Sequence, residues 1–135
     1  MLCHFVEPNP KRILVVDDLH DSAMSLAMVL QHMGHTAEFV TDPWRALEAA
    51  RRLRPELVFL DIGMPGIDGY ALARMFRQEF GFETVRLVAL TAWDTDKDRI
   101  ESRRAGFDAH VAKPADPATL DSILQTVFDR GSTRT

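Results

Sequence analysis

Apolar positions in this chain fall into short unbroken runs that alternate with longer stretches of helical spacing. Residues 13–16 form a continuous aliphatic run of strand length, and Ala23, Leu26, Ala27, Leu30 and Met33 then follow at intervals that line one helical face. Gly34 marks the stop of that helix. A second strand is expected over 36–40. Asp42 and Pro43 then make a cap and first-turn pair, and Trp44, Leu47, Ala50 and Leu53 give a short amphipathic helix ending before Pro55. Residues 57–60 read as a third strand. A helix over about 69–79 turns Leu72, Met75 and Phe76 inward and breaks at Gly81, and residues 85–90 read as a fourth strand. The stretch 95–105 is almost all charged, with Ile100 and little else to anchor it, so a loosely held helix closed by Gly106 is expected. A fifth strand covers 109–112. The last helix opens at Asp116 and Pro117, and Leu120, Ile123, Leu124, Val127 and Phe128 form its apolar stripe.

Strand and helix pairs joined by short loops predict an α/β fold, a doubly wound parallel sheet of five strands with helices on both faces. Strands one, three and four are aliphatic throughout, as the middle of such a sheet requires, whereas 36–40 carries Glu38 and fits an edge. The expected strand order is 2-1-3-4-5. The switch point then lies between strands one and three, where ligands of open α/β sheets bind.

Composition narrows the class further. At 135 residues, with 46% hydrophobic and 27% charged positions, the chain has the length and make-up of one globular domain. A net charge of −4 offers no uniform basic surface for direct binding of nucleic acid. No run of about 18 apolar residues is present for membrane insertion, and nothing at the start reads as a secretory signal, so a cytoplasmic protein is expected. The single cysteine, Cys3, rules out an internal disulfide, and Cys3 beside His4 is half of a metal pattern that no second cluster completes. Residues 1–10 are expected as an irregular extension, 11–129 as the domain and 130–135 as a flexible tail.

Four of the apolar runs end in polar residues: strand one in Asp17 and Asp18, strand three in Asp61, strand four in Thr91 and strand five in Lys113. The carboxyl ends of parallel strands share one crevice, so these groups are expected to gather there. Carboxylates in contact repel by roughly 4 kcal/mol per pair at an effective dielectric near 20, which calls for a compensating cation. Mg²⁺ suits such a set of hard oxygens, and Lys113 adds a fixed positive charge. A phosphoryl group on a carboxylate oxygen is then clamped between metal and ammonium, with Thr91 hydrogen bonding to a further oxygen. Asp61, alone at its strand end, is the expected nucleophile, and Asp17 with Asp18 is the pair that holds the cation.

These motifs together resemble the receiver domain of bacterial two-component response regulators, the CheY-like, flavodoxin-like fold. The likeness runs over about 12–128. It rests on Asp17 and Asp18; on Asp61 followed by Gly63, Met64, Pro65, Gly66, Asp68 and Gly69; on Thr91 with Ala92; and on Lys113 with Pro114. The resemblance implies that Asp61 accepts a phosphoryl group from a histidine kinase or a histidine phosphotransfer protein. It implies that Asp18, Asp61 and the backbone carbonyl of Gly63 bind Mg²⁺, with Asp17 acting through water. Thr91 and Lys113 would read the phosphoryl oxygens, and the bond from Lys113 to Pro114 would be cis. Such a domain is a signalling phosphoacceptor rather than an enzyme.

Two positions depart from the commonest family pattern. Where most receivers carry Tyr or Phe, three residues before the lysine, this chain has His110, which either serves as the switch or merely packs. Gly63 and Trp93 occupy the positions that tune phosphoryl lifetime in the family. His20 reads as a loop histidine. Arg99, Arg103 and Arg104 read as a solvated face, with partner docking as the sharper alternative. Two rival functions stand beside the receiver reading. One is a receiver-like interaction module that needs no phosphorylation, which the full set Asp18, Asp61, Thr91 and Lys113 argues against. The other is an aspartyl-phosphate phosphatase, whose second acidic residue would stand at Gly63. Few residues follow Phe128, so output is expected through docking to a downstream protein or from an intermediate place in a phosphorelay.

Overall fold

The computed structural model describes residues 10–64, 67–81, 84–92, 96–113 and 115–133, with 129–133 described by backbone alone. Residues 1–9 of the expected extension, Cys3 among them, lie outside the described residues, as do Pro65, Gly66, Trp93 and Pro114.

Among the described residues, five strands alternate with helices: β1 (Arg12–Val16), α1 (His20–His32), β2 (Thr36–Val40), α2 (Ala46–Leu53), β3 (Leu57–Asp61), α3 (Gly69–Phe80), β4 (Arg86–Thr91), α4 (Asp96–Ala105), β5 (Ala109–Ala112) and α5 (Pro117–Thr133). All neighbouring strands are parallel, in the order β2-β1-β3-β4-β5 expected from the sequence. Each central strand divides its side chains between two cores. Leu14, Val16, Val58, Leu60, Leu87 and Ala89 pack with residues of α2, α3 and α4, while Ile13, Val15, Leu57, Phe59, Val88 and Leu90 pack with α1 and α5. Period-two alternation on a sheet covered on both faces produces this split.

Local sequence sets the helix starts. Asp68 Oδ1 accepts from the Tyr70 N–H at 3.0 Å and caps α3, and Asp116 Oδ1 accepts from the Thr119 N–H at 2.8 Å at the start of α5. Asp42 caps as expected, but onto a single 3-10 turn, Pro43–Arg45, that precedes α2. Gly69 is required by contact: a Cβ there would lie 2.4 Å from Ile62 Cα and 2.8 Å from the Asp61 carbonyl oxygen. The first turn of α3 therefore rests directly on the chain leaving β3.

Four expectations about burial and extent are corrected. Met75 is 37% exposed, because the inward stripe of α3 runs through Leu72, Ala73, Phe76 and Arg77. Arg77 can occupy an inward position because its guanidinium is satisfied there. It donates to the carbonyls of Gly106 at 2.8 Å, Gly81 at 2.9 Å and Val85 at 2.6 Å, and to Asp108 Oδ2 at 2.8 Å. Trp44 is exposed because it belongs to the 3-10 turn rather than to the α2 stripe of Ala46, Ala49 and Ala50. Ile100 is likewise exposed, and α4 is held by Ser102 and Ala105 instead. Finally, the backbone is helical to Thr133, through Gly131 where a tail was expected. One interior glycine costs a helix about 1 kcal/mol, too little by itself to end it.

Candidate phosphoacceptor site

Strand register brings the polar ends together. Val16 pairs with Leu60, Asp61 with Leu90 and Thr91 with Ala112, so the ends of β1, β3, β4 and β5 lie side by side. The Ile62 N–H donates to the Leu90 carbonyl at 3.1 Å, and the Lys113 N–H donates to the Thr91 carbonyl at 2.8 Å, carrying this alignment one residue past the strands.

Side chains converge from there. The ligand oxygens of Asp17, Asp18 and Asp61 all lie within 4.8 Å of one another. Lys113 Nζ bridges two of them, 3.1 Å from Asp17 Oδ2 and 3.2 Å from Asp61 Oδ2. Asp17 and Asp61 are buried, whereas Asp18 and Lys113 are half-buried, so the cluster opens to solvent on one side. Thr91 is buried at the end of β4, and His110 is half-buried in β5 opposite Ala89. Gly63 is exposed. Its N–H donates to Asp61 Oδ1 at 2.9 Å, and a Cβ added there would stand 3.6 Å from that same oxygen.

Hydrogen bonding separates the two buried carboxylates. Burial pushes Asp17 up, but the Leu19 N–H, the Ser22 hydroxyl and Lys113 outweigh it and hold this carboxyl below its ordinary range. Burial also pushes Asp61 up. There the Gly63 N–H and Lys113 compensate only in part, the charge of Asp17 adds to the rise, and the net direction is upward. Burial alone would lower the Lys113 ammonium, yet its contacts with Asp17 and Asp61 carry it above the usual lysine value. Of these two buried carboxylates, Asp61 is thus the one whose charge the fold disfavours. Hard oxygen donors at this spacing fit a divalent cation such as Mg²⁺, which relieves that charge directly.

Sequence reasoning missed Ser22, which reaches Asp17 from the first turns of α1. A hydroxyl five residues after a strand-end aspartate was the available signal, and it is a weak one. The buried pairing of Arg77 with Asp108 was missed as well.

The chain has relatives among known proteins. The model of the family described as "Response regulator receiver domain" matches residues 13–125. The DNA-binding response regulator MtrA of Mycobacterium tuberculosis H37Rv is 38% identical over 110 residues, 82% of this chain and 47% of its own length. This chain therefore spans about half the length of the MtrA relatives. An uncharacterized 14.6 kDa protein of Leptolyngbya boryana is 34% identical over 84% of this chain and 86% of its own. The crystal structure of a CheY-like receiver domain protein from Methanospirillum hungatei superposes with a TM-score of 0.82 at 23% identity, over 94% of this chain and 100% of that one. With its strand order, its acidic cluster and these relatives, the chain belongs to the response regulator receiver domains of two-component signalling.

Proposed function

We propose that Asp61 is the phosphoacceptor, and that it takes its phosphoryl group from a phosphohistidine on a sensor histidine kinase or a histidine phosphotransfer protein. A carboxylate oxygen of Asp61 bonds to phosphorus as the bond from phosphorus to the imidazole nitrogen breaks. The electron pair goes to the departing imidazole nitrogen, which takes its proton from solvent. Asp18, Asp61 and the Gly63 carbonyl hold Mg²⁺, with Asp17 acting through water, and the ion supplies positive charge beside the phosphoryl oxygens when bound. Lys113 pairs with the phosphoryl oxygens on the other side, and Thr91 donates its hydroxyl to one of them. The exposed glycine at position 63 leaves the approach to Asp61 open and provides no acid or base for rapid hydrolysis. Movement of Thr91 and His110 then passes the change to the face made by β4 and α4 with β5 and α5, where a downstream protein docks in the cytoplasm.

The observation that carries this reading is the bridge from Lys113 to Asp61 at 3.2 Å inside a cluster of three carboxylates. Incubation with radiolabelled acetyl phosphate and MgCl₂ tests it. Wild-type protein takes up label with MgCl₂ and little when EDTA is present from the start, and Asp61→Asn takes up none. Equal labelling of Asp61→Asn overturns the assignment.

A further inference from the structure

Asp17 is the most heavily bonded member of the cluster. Its Oδ1 accepts the Leu19 N–H at 3.1 Å, and its Oδ2 accepts both the Ser22 hydroxyl at 2.8 Å and Lys113 Nζ at 3.1 Å. A carboxylate offers about four in-plane acceptor positions, so the described residues alone fill all but one of them. We infer that Ser22 is a positioning residue for the cation site: it locks the Asp17 carboxylate so that a single acceptor position remains for the cation or its bound water.

The inference rests on the proposed Mg²⁺ site and extends it to a residue outside the carboxylate cluster. Asp17 needs this further tether because Asp18 and Asp61 repel it and because Lys113 is shared with Asp61. Without the hydroxyl, the Leu19 N–H holds one oxygen and Lys113 is free to move toward Asp61. The Asp17 carboxylate can then rotate about its own bond. Hydrogen-bond partners that orient a metal-binding carboxylate typically contribute 10–100-fold in metal affinity. The same geometry accounts for the use of Asp17 through water, since one remaining lone pair suits a bound water better than a bidentate contact.

The test is calorimetric titration of the metal-free protein with MgCl₂ alone, paired with thermal melts in EDTA. Ser22→Ala is expected to bind Mg²⁺ about tenfold more weakly, and Ser22→Thr, which restores a hydroxyl, to regain most of the loss. Ser22→Cys keeps the shape with a weaker donor and should also bind weakly, which covers the case in which alanine disturbs the start of α1. Ala and Cys variants that both bind Mg²⁺ as wild type does overturn the role of Ser22 and leave the phosphoacceptor reading standing. Wild-type protein that takes up no Mg²⁺ overturns both. Asp61→Asn labelling, read separately, reports on the phosphoacceptor reading alone.

Discussion

Arg77 and Asp108 form an ion pair at 2.8 Å in which both side chains are less than a tenth exposed. Asp108 also accepts the Leu87 N–H at 2.9 Å, so one carboxylate ties α3, β4 and the approach to β5 together. Gly106 is part of the same knot, with φ of +107° and a virtual Cβ 2.8 Å from Arg77 Cγ. Removing one partner strands a buried charge and several carbonyls. Arg77→Met is expected to cost roughly 3–5 kcal/mol in urea unfolding, and Arg77→Lys should rescue little, because an ammonium cannot reproduce the guanidinium fork. A loss below about 1 kcal/mol for Arg77→Met would show that the pair contributes little.

Replacing Asp61 should make the metal-free protein more stable. Its folded-state pKa lies above the unfolded value of 3.8, so the ionised form is disfavoured in the fold and stability falls as pH rises through that window. At pH 7 in EDTA, Asp61→Asn is expected to melt higher. A gain on the order of 1 kcal/mol corresponds to roughly 3–5 °C for a domain of this size. Saturating MgCl₂ should raise the wild-type Tm, by about 2.7 kcal/mol of stability at a hundredfold excess over Kd, and leave Asp61→Asn nearly unmoved. A lower Tm for Asp61→Asn in EDTA contradicts the repulsion described above.

Asp17 titrates in the opposite sense. Its folded-state pKa is depressed, so its contribution is complete above the unfolded value of 3.8 and disappears as pH falls through the folded value beneath it. Asp17→Asn is expected to lose about 1.5–3 kcal/mol at neutral pH, the usual worth of hydrogen bonds to a charged group. That difference from wild type should close as the solution is acidified below pH 3.8. A gap that stays constant into acid means that the loss has another origin.

Gly69→Ala tests the contact between α3 and the chain leaving β3. The added methyl meets backbone at 2.4 Å, so the loop after Asp61 must shift. A loss of roughly 1–3 kcal/mol is expected, as for other overpacked sites. Asp61 labelling by acetyl phosphate should fall as well. Asp68→Ala serves as the control: it removes the cap of α3, costs about 1 kcal/mol and leaves labelling intact.

Strand order, edge positions and the gathering of Asp17, Asp18, Asp61 and Lys113 were legible because each rests on a run of adjacent apolar residues, and runs survive any detail of packing. Met75 and Ile100 were misread because helical spacing alone does not say which flank of a stripe faces the sheet. Arg77 was invisible for a related reason. Its burial depends on carbonyls of Gly81, Val85 and Gly106 that only the folded chain brings within reach. Ser22 shares that character, since a hydroxyl in a helix declares nothing until the carboxylate of Asp17 stands 2.8 Å away.

Lys113 is 96 positions from Asp17 and 52 from Asp61 along the chain, yet it touches both. The charge that completes the pocket thus arrives with the final strand of the sheet. A fragment lacking that strand keeps the aspartates but not the ammonium that bridges them, so the electrostatic balance of the cluster depends on the last strand being in place.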